Sequence, residues 1–193
     1  AAYFADPIQI LMVWKGGMSF HGGVLGVLVA MLIFARMNKI PLFSLTDIVC
    51  TVAPFGIMLG RIANFINGEH WGRVTDVPWA IAFPHSGDLL PRHPSQLYEC
   101  AMEGVLLLTI LIIVQRRFNG LARPGLQSGV FLMGYACARM AGEIFREPEI
   151  LMQTLPFGTT WGQWLSLPML LGGAYLVYRA LQQAPLSKSP KKA

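Results

Sequence analysis

Residues 47–72, DIVCTVAPFGIMLGRIANFINGEHWG, hold an apolar run closed by Arg61, Asn64, Asn67 and Glu69. The run has the length of a membrane-crossing helix, which needs about 20 apolar residues. A charged side chain at the bilayer centre costs about 2.5–3.5 kcal/mol on insertion scales, so Arg61 marks a functional site by default. Arg61, Asn64 and Gly68 recur at i, i+3 and i+7 and share one helical face. Glu69 and His70 follow where the helix is expected to give out.

Composition agrees with that reading. Of 193 residues, 54% are hydrophobic and 13% charged, with mean hydropathy +0.50. This predicts an all-α polytopic membrane protein with five transmembrane helices near 17–36, 47–66, 96–115, 125–145 and 161–181. Nine of the fifteen basic residues, Arg36, Lys39, Arg116, Arg117, Arg123, Arg179, Lys188, Lys191 and Lys192, fall on one side if the spans alternate. That side is expected to be the cytoplasm, with the carboxyl terminus in it. The net charge of +5 is therefore a topology signal, and no nucleic-acid partner is expected. The chain opens Ala1-Ala2-Tyr3-Phe4 with no initiating Met, and is read as an amino-terminally truncated single transmembrane domain over 1–193. Its longest stretch outside the spans, 67–94, mixes Trp71, Trp79, Phe83, His85 and His93 with Pro78, Pro84, Pro91 and Pro94. It predicts a small irregular head on the side opposite the basic loops, either an aromatic belt or a binding element.

Further polar residues cluster at that side. Glycine pairs flank His21 in Lys15-Gly-Gly-Met-Ser-Phe-His-Gly-Gly23. An imidazole there suits a base near neutral pH and equally a structural role. Tyr135, Arg139 and Glu143 share a face of the fourth span at i, i+4 and i+8, with Arg146 one turn on. The plain reading is an Arg139–Glu143 ion pair; the functional one is that guanidinium forks near the boundary bind phosphate. Glu99 and Glu103 share a face of the third span, Glu99 suited to the helix N-terminus and Glu103 to pairing with an Arg. Trp161-Gly-Gln-Trp164 reads as an interfacial anchor. Cys50, Cys100 and Cys137 are far apart and read as small buried hydrophobes, so no metal is expected.

GRIANFINGEHWG (60–72), SFHGG (19–23), RHPSQLYE (92–99) and the Tyr135/Arg139/Glu143 helix ending in FREP (145–148) resemble, in order, motifs of the prolipoprotein diacylglyceryl transferase family. The resemblance runs from about Tyr3 to Arg179. It implies a bacterial inner-membrane enzyme of about seven spans, its active site toward the periplasm, with the first spans missing here. The implied reaction moves the diacylglyceryl group of phosphatidylglycerol to the lipobox cysteine of a prolipoprotein and releases glycerol 1-phosphate. Membrane lipid and the lipobox peptide are the implied partners, with no cofactor. His21, Arg61, Arg139 and Glu69 become the catalytic candidates. Arg61, Asn64, Asn67, Gly72, Tyr135, Arg139, Glu143 and Arg146 become the phosphatidylglycerol-binding ones, Asn64 and Glu69 orienting the head group or the Arg61 fork, Tyr135 and Glu143 holding Arg139. A phospholipid-binding transporter is the main alternative, but no repeated halves are visible. An intramembrane serine protease is a weaker one, since Ser19 lies too near His21 to serve as its nucleophile.

Overall fold

A computed structural model describes residues 20–147 and 160–186, excluding the side chains of Phe20, His21 and Trp161. The chain divides into two units, Ala1–Leu42 and Phe43–Ala193. The first contributes α1 (Phe20–Met37), an apolar helix with no acidic residue and Arg36 in its last turn. It ends at Met37, and Lys39, two residues on, has a left-handed φ of 54°. The Asn38 side chain donates to Phe34 O, and the Lys39 and Ile40 N–H groups donate to Arg36 O and Ala35 O, so the last carbonyls are satisfied.

The second unit is built on α2 (Leu42–Asn67), α3 (Ser95–Phe118), α4 (Leu126–Gly142) and α5 (Trp161–Gln182). The described part of each of the five apolar segments read from the sequence is thus mainly helical, and α2 and α3 are long and apolar enough to cross a membrane. Side-chain placement in these helices inverts that of a protein surrounded by water. Ile48, Val52, Phe55, Val105, Leu106, Leu171 and Tyr175 point outward, whereas Asp47, Gln96, Glu99, Glu103 and Gln127 are fully buried. Hydrocarbon favours that arrangement, because apolar side chains lose nothing by facing it and polar ones must find partners inside.

Two of the helix boundaries that differ from the sequence reading have a clear physical cause. α2 begins at Leu42 rather than near Asp47, because the Asp47 carboxylate is consumed inside the fold. It accepts hydrogen bonds from Gly125 N (2.7 Å), Ser128 N (2.8 Å) and Ser128 Oγ (2.6 Å). Asp47 therefore caps the first turn of α4 from a neighbouring helix, satisfying N–H groups that no residue of α4 could reach. α4 ends at Gly142 rather than 145, because 143–146 turn back to join the segment after α2. There Arg73 N donates to Phe145 O, and Gly72 bridges to Arg146.

Close backbone approach sets the packing. A Cβ on Gly129 would lie 2.8 Å from Gly173 O, and one on Gly173 would lie 2.8 Å from Gly129 O, so α4 and α5 touch main chain to main chain. Such small-residue contacts substitute for the hydrophobic drive that a bilayer does not supply. Gly104 likewise lets α3 meet α2 at Met58. Between α2 and α3 the chain makes a short irregular excursion. It holds one antiparallel pair, β1 (Ile81–Ala82) with β2 (Pro91–Arg92), and a 3-10 turn at Pro84–Ser86. Arg92 braces it, paired with Asp88 (2.6 Å) and Glu147 and donating to Gly72 O. The Arg92 hydrogen bond holds the exposed Asp88 carboxyl at about 2.

Replacing Asp47 by Ala leaves the Gly125 and Ser128 N–H groups buried without acceptors. A loss of about 2–4 kcal/mol is expected, with Asp47→Asn recovering part of it. Denaturant unfolding in detergent checks this, and an unchanged midpoint for Asp47→Ala would remove the capping role.

Candidate functional site

Three helix ends converge on one polar cluster. Arg61 comes from the last third of α2, Glu99 and Glu103 from the beginning of α3, and Arg139 and Glu143 from the end of α4. Arg61 Nε and Nη2 both donate to Glu103 Oε2 (3.0 and 2.8 Å), and its Nη1 lies 2.8 Å from Glu99 Oε2. Arg139 Nη1 donates to Glu99 Oε1 (3.1 Å), and its Nη2 pairs with Glu143 Oε1 (2.5 Å). Arg146 reaches the same Glu99 oxygen at 3.7 Å and His70 Nδ1 at 3.2 Å. Glu99 therefore sits at the centre, shared by three guanidiniums.

The cluster has a floor and a face. The Glu99 and Glu103 side chains are 1% and 0% exposed, whereas those of Arg61, Arg139 and Arg146 are 14%, 19% and 13% exposed. The carboxylates are buried, and the three arginine side chains that rest on them are each partly exposed. A guanidinium has five N–H donors; Glu99 and Glu103 engage three of those of Arg61, and Glu99 and Glu143 engage two of those of Arg139. Donors are left over for an external anion whose acceptors are oxygen. Because three arginines meet three glutamates, the cluster carries little net charge. What the cluster offers an anion is therefore preset fork geometry rather than net positive charge, and such forks suit carboxylate and phosphate oxygens.

Local structure explains the placement of the floor. α3 widens into a π-helical stretch over Cys100–Leu106, which begins just after Glu99 and contains Glu103, the two glutamates that share Arg61. Such stretches appear mostly as single-turn interruptions at functional sites. Gly104 brings α2 against this stretch, so Arg61 can rest on both carboxylates. The rim is tied down by main chain: Gln96 Nε2 donates to Glu69 O (2.6 Å) and Ser95 Oγ to His70 O (2.9 Å). Beside it, His93, Tyr98 and Phe145 pack edge to face, and Trp79 Nε1 donates to the Tyr98 hydroxyl (2.6 Å).

The sequence-derived candidates separate into groups here. Arg61, Arg139, Glu143 and Arg146 come together. Among the described residues the Arg61 fork is held by Glu99 and Glu103, and neither the Asn64 nor the Glu69 side chain hydrogen-bonds to it. Glu143 holds Arg139, whereas Tyr135 stacks on Phe131 and makes no hydrogen bond to Arg139 among the described residues. The Glu69 carboxylate is exposed and lines an open hollow of about 620 Å³ with Ile66, Asn67, Gly68, Trp71 and His85. Gly72 is buried and serves through its backbone: its N–H donates to His93 O, and a Cβ would collide with Phe145 O at 2.6 Å. The His21 side chain lies outside the described residues. Cys137 is exposed rather than buried. Glu99 was legible only as a helix-start carboxylate; its hub position depends on three separate helix ends and leaves no local spacing signal.

Residues 1–179 match the family described as prolipoprotein diacylglyceryl transferase. The chain is 52% identical over 188 residues to a protein of Rhizobium leguminosarum bv. trifolii, an alignment covering 96% of this chain and 66% of that one. It is 52% identical over 183 residues to one of Bradyrhizobium diazoefficiens (94% and 64%) and 49% over 176 residues to one of Bordetella parapertussis (91% and 66%). All three carry the name phosphatidylglycerol–prolipoprotein diacylglyceryl transferase. The chain spans just under two thirds of the length of each.

Removing the central carboxylate should be costly. Glu99→Ala leaves guanidiniums uncompensated over a buried void, a change expected to cost about 3–5 kcal/mol. Glu99→Gln, which keeps one acceptor, should cost less. Chemical denaturation in micelles measures both, and a loss below about 1 kcal/mol for Glu99→Ala would contradict a hub held by burial and charge.

Proposed function

The chain belongs to the prolipoprotein diacylglyceryl transferase family, and from that membership we propose that it transfers the diacylglyceryl group of phosphatidylglycerol to the lipobox cysteine thiol of prolipoproteins. The observation that carries this reading is the guanidinium face of Arg61 and Arg139 on its buried carboxylate floor. Attack by the thiolate forms a carbon–sulfur bond at an sp3 carbon and breaks the bond from that carbon to a phosphate oxygen. The glycerol 1-phosphate that departs gains a second negative charge. Two forks already oriented by Glu99 are suited to receive that charge, since donors fixed before the reaction stabilise it without reorganising.

The thiol, with a pKa of about 8.5, must lose its proton first. His21 is the proposed base, by resemblance, and its loss should weigh most at low pH, where the thiol does not ionise unaided. Asn64, Asn67 and Glu69, at the same end of α2, are proposed to contact the glycerol head group. Arg146 adds a further positive edge beside Glu99. The same reading makes the chain a multi-pass protein of the bacterial inner membrane, its cluster toward the periplasm and its carboxyl terminus in the cytoplasm. Arg116, Arg117, Arg123 and Arg179 lie at the helix ends away from the cluster, which supports that orientation.

The test supplies phosphatidylglycerol and a lipobox peptide to protein in proteoliposomes and follows glycerol 1-phosphate and modified peptide together. Both products are expected. Binding of the lipid with neither product would favour a lipid-binding transporter without chemistry. In the same assay Arg61→Lys, which keeps the charge and loses the fork, is expected to lower kcat on the order of 100-fold. Retained activity in folded Arg61→Lys protein would sink the fork argument.

A further inference from the structure

Gly162, in the first turn of α5, lies against the Glu143 carboxylate. A Cβ built there would stand 2.6 Å from Glu143 Oε1, 2.8 Å from Cδ and 3.2 Å from Cγ. A flexible side-chain end ordinarily moves aside from such a contact, but Glu143 Oε1 is the atom that Arg139 Nη2 holds at 2.5 Å. Contact with Cδ and Cγ as well means that rotating the carboxylate alone does not clear the Cβ. Any relief on the Glu143 side therefore opens the Arg139 pair.

On the other side, the turn of α5 that carries Gly162 is held in shape by its own hydrogen bonds. The Gly162 carbonyl accepts a hydrogen bond from the buried Ser166 Oγ (2.7 Å). Thr160 and Gln163 close a capping box around the same turn. Farther along, α5 meets α4 backbone to backbone at Gly173 and Gly129, so a retreat of α5 from Glu143 gives up close packing between the two helices. The contact also sets the Glu143 carboxylate beside the N-terminal turn of a 22-residue helix, where negative charge is favoured.

We propose that Gly162 is a positioning residue for the proposed transferase: by having no side chain it lets α5 clamp Glu143 onto Arg139, and so aims the Arg139 fork at the phosphate. The proposal rests on the transferase reading for its functional consequence, while the clamp itself can be read without turnover. The sequence presents Gly162 only as part of an interfacial anchor, and nothing in its spacing ties it to Arg139.

The test compares Gly162→Ala, Glu143→Asp and the double variant with the parent protein. It follows glycerol 1-phosphate release at varied phosphatidylglycerol, and the guanidinium resonances of 15N-arginine-labelled protein. Gly162→Ala is expected to shift the Arg139 resonance and lower kcat/KM on the order of 10- to 100-fold, as small misplacements of catalytic groups do. Glu143→Asp shortens the carboxylate and makes room, so the double variant should recover activity above the product of the two single effects. An unmoved Arg139 resonance in Gly162→Ala, or strictly multiplicative losses, would overturn the proposal. A parent protein that makes no product while Gly162→Ala still moves Arg139 would instead overturn the transferase reading and leave the clamp standing.

Discussion

A single buried carboxylate organises this end of the molecule. Glu99 is fully buried, and its two oxygens face Arg61 from α2 and Arg139 from α4. Three helix ends must therefore arrive at one point for the charge to be compensated. Stability alone does not explain the arrangement: well-packed apolar residues of similar volume are often as stable as a buried ion pair, or more so. What the network provides is orientation, since a fork resting on a carboxylate floor cannot swing away and need not reorganise when an anion arrives.

The rest of the fold serves that convergence. Gly104 lets α2 approach the widened part of α3, Asp47 fixes the far end of α4 against α2, and the Gly129–Gly173 contact fixes α5 against α4. Helices in hydrocarbon gain little from burying apolar surface against each other, so these close contacts and buried hydrogen bonds carry the specificity. Arg92 and the aromatic group around His93 and Tyr98 play the same part for the excursion that follows α2.

Much of this was legible in the sequence because hydrocarbon makes polar residues conspicuous. Arg61, Arg139 and Glu143 stood out inside apolar helices, and the spacing of Arg139 and Glu143 foretold their pair. Glu103 was rightly matched to an arginine. What stayed hidden depends on tertiary distance. Asp47 looked like a boundary because its partners lie 78 and 81 residues away. Glu99 looked like a capping residue because its guanidiniums belong to other helices, and Gly162 has no side chain to advertise a contact. Tyr135 shares a helical face with Arg139, and the stacking of its ring on Phe131 is a contact that the spacing does not announce.

The central claim is that Arg61 and Arg139, joined through Glu99, act as one anion-binding unit. The direct measurement is a double-mutant cycle of Arg61→Lys and Arg139→Lys on the affinity of the purified protein for phosphatidylglycerol. Coupling of about 1–3 kcal/mol between the two changes is the result this account requires. Losses that add to within about 0.5 kcal/mol would contradict it, leaving two independent charges that happen to share a carboxylate.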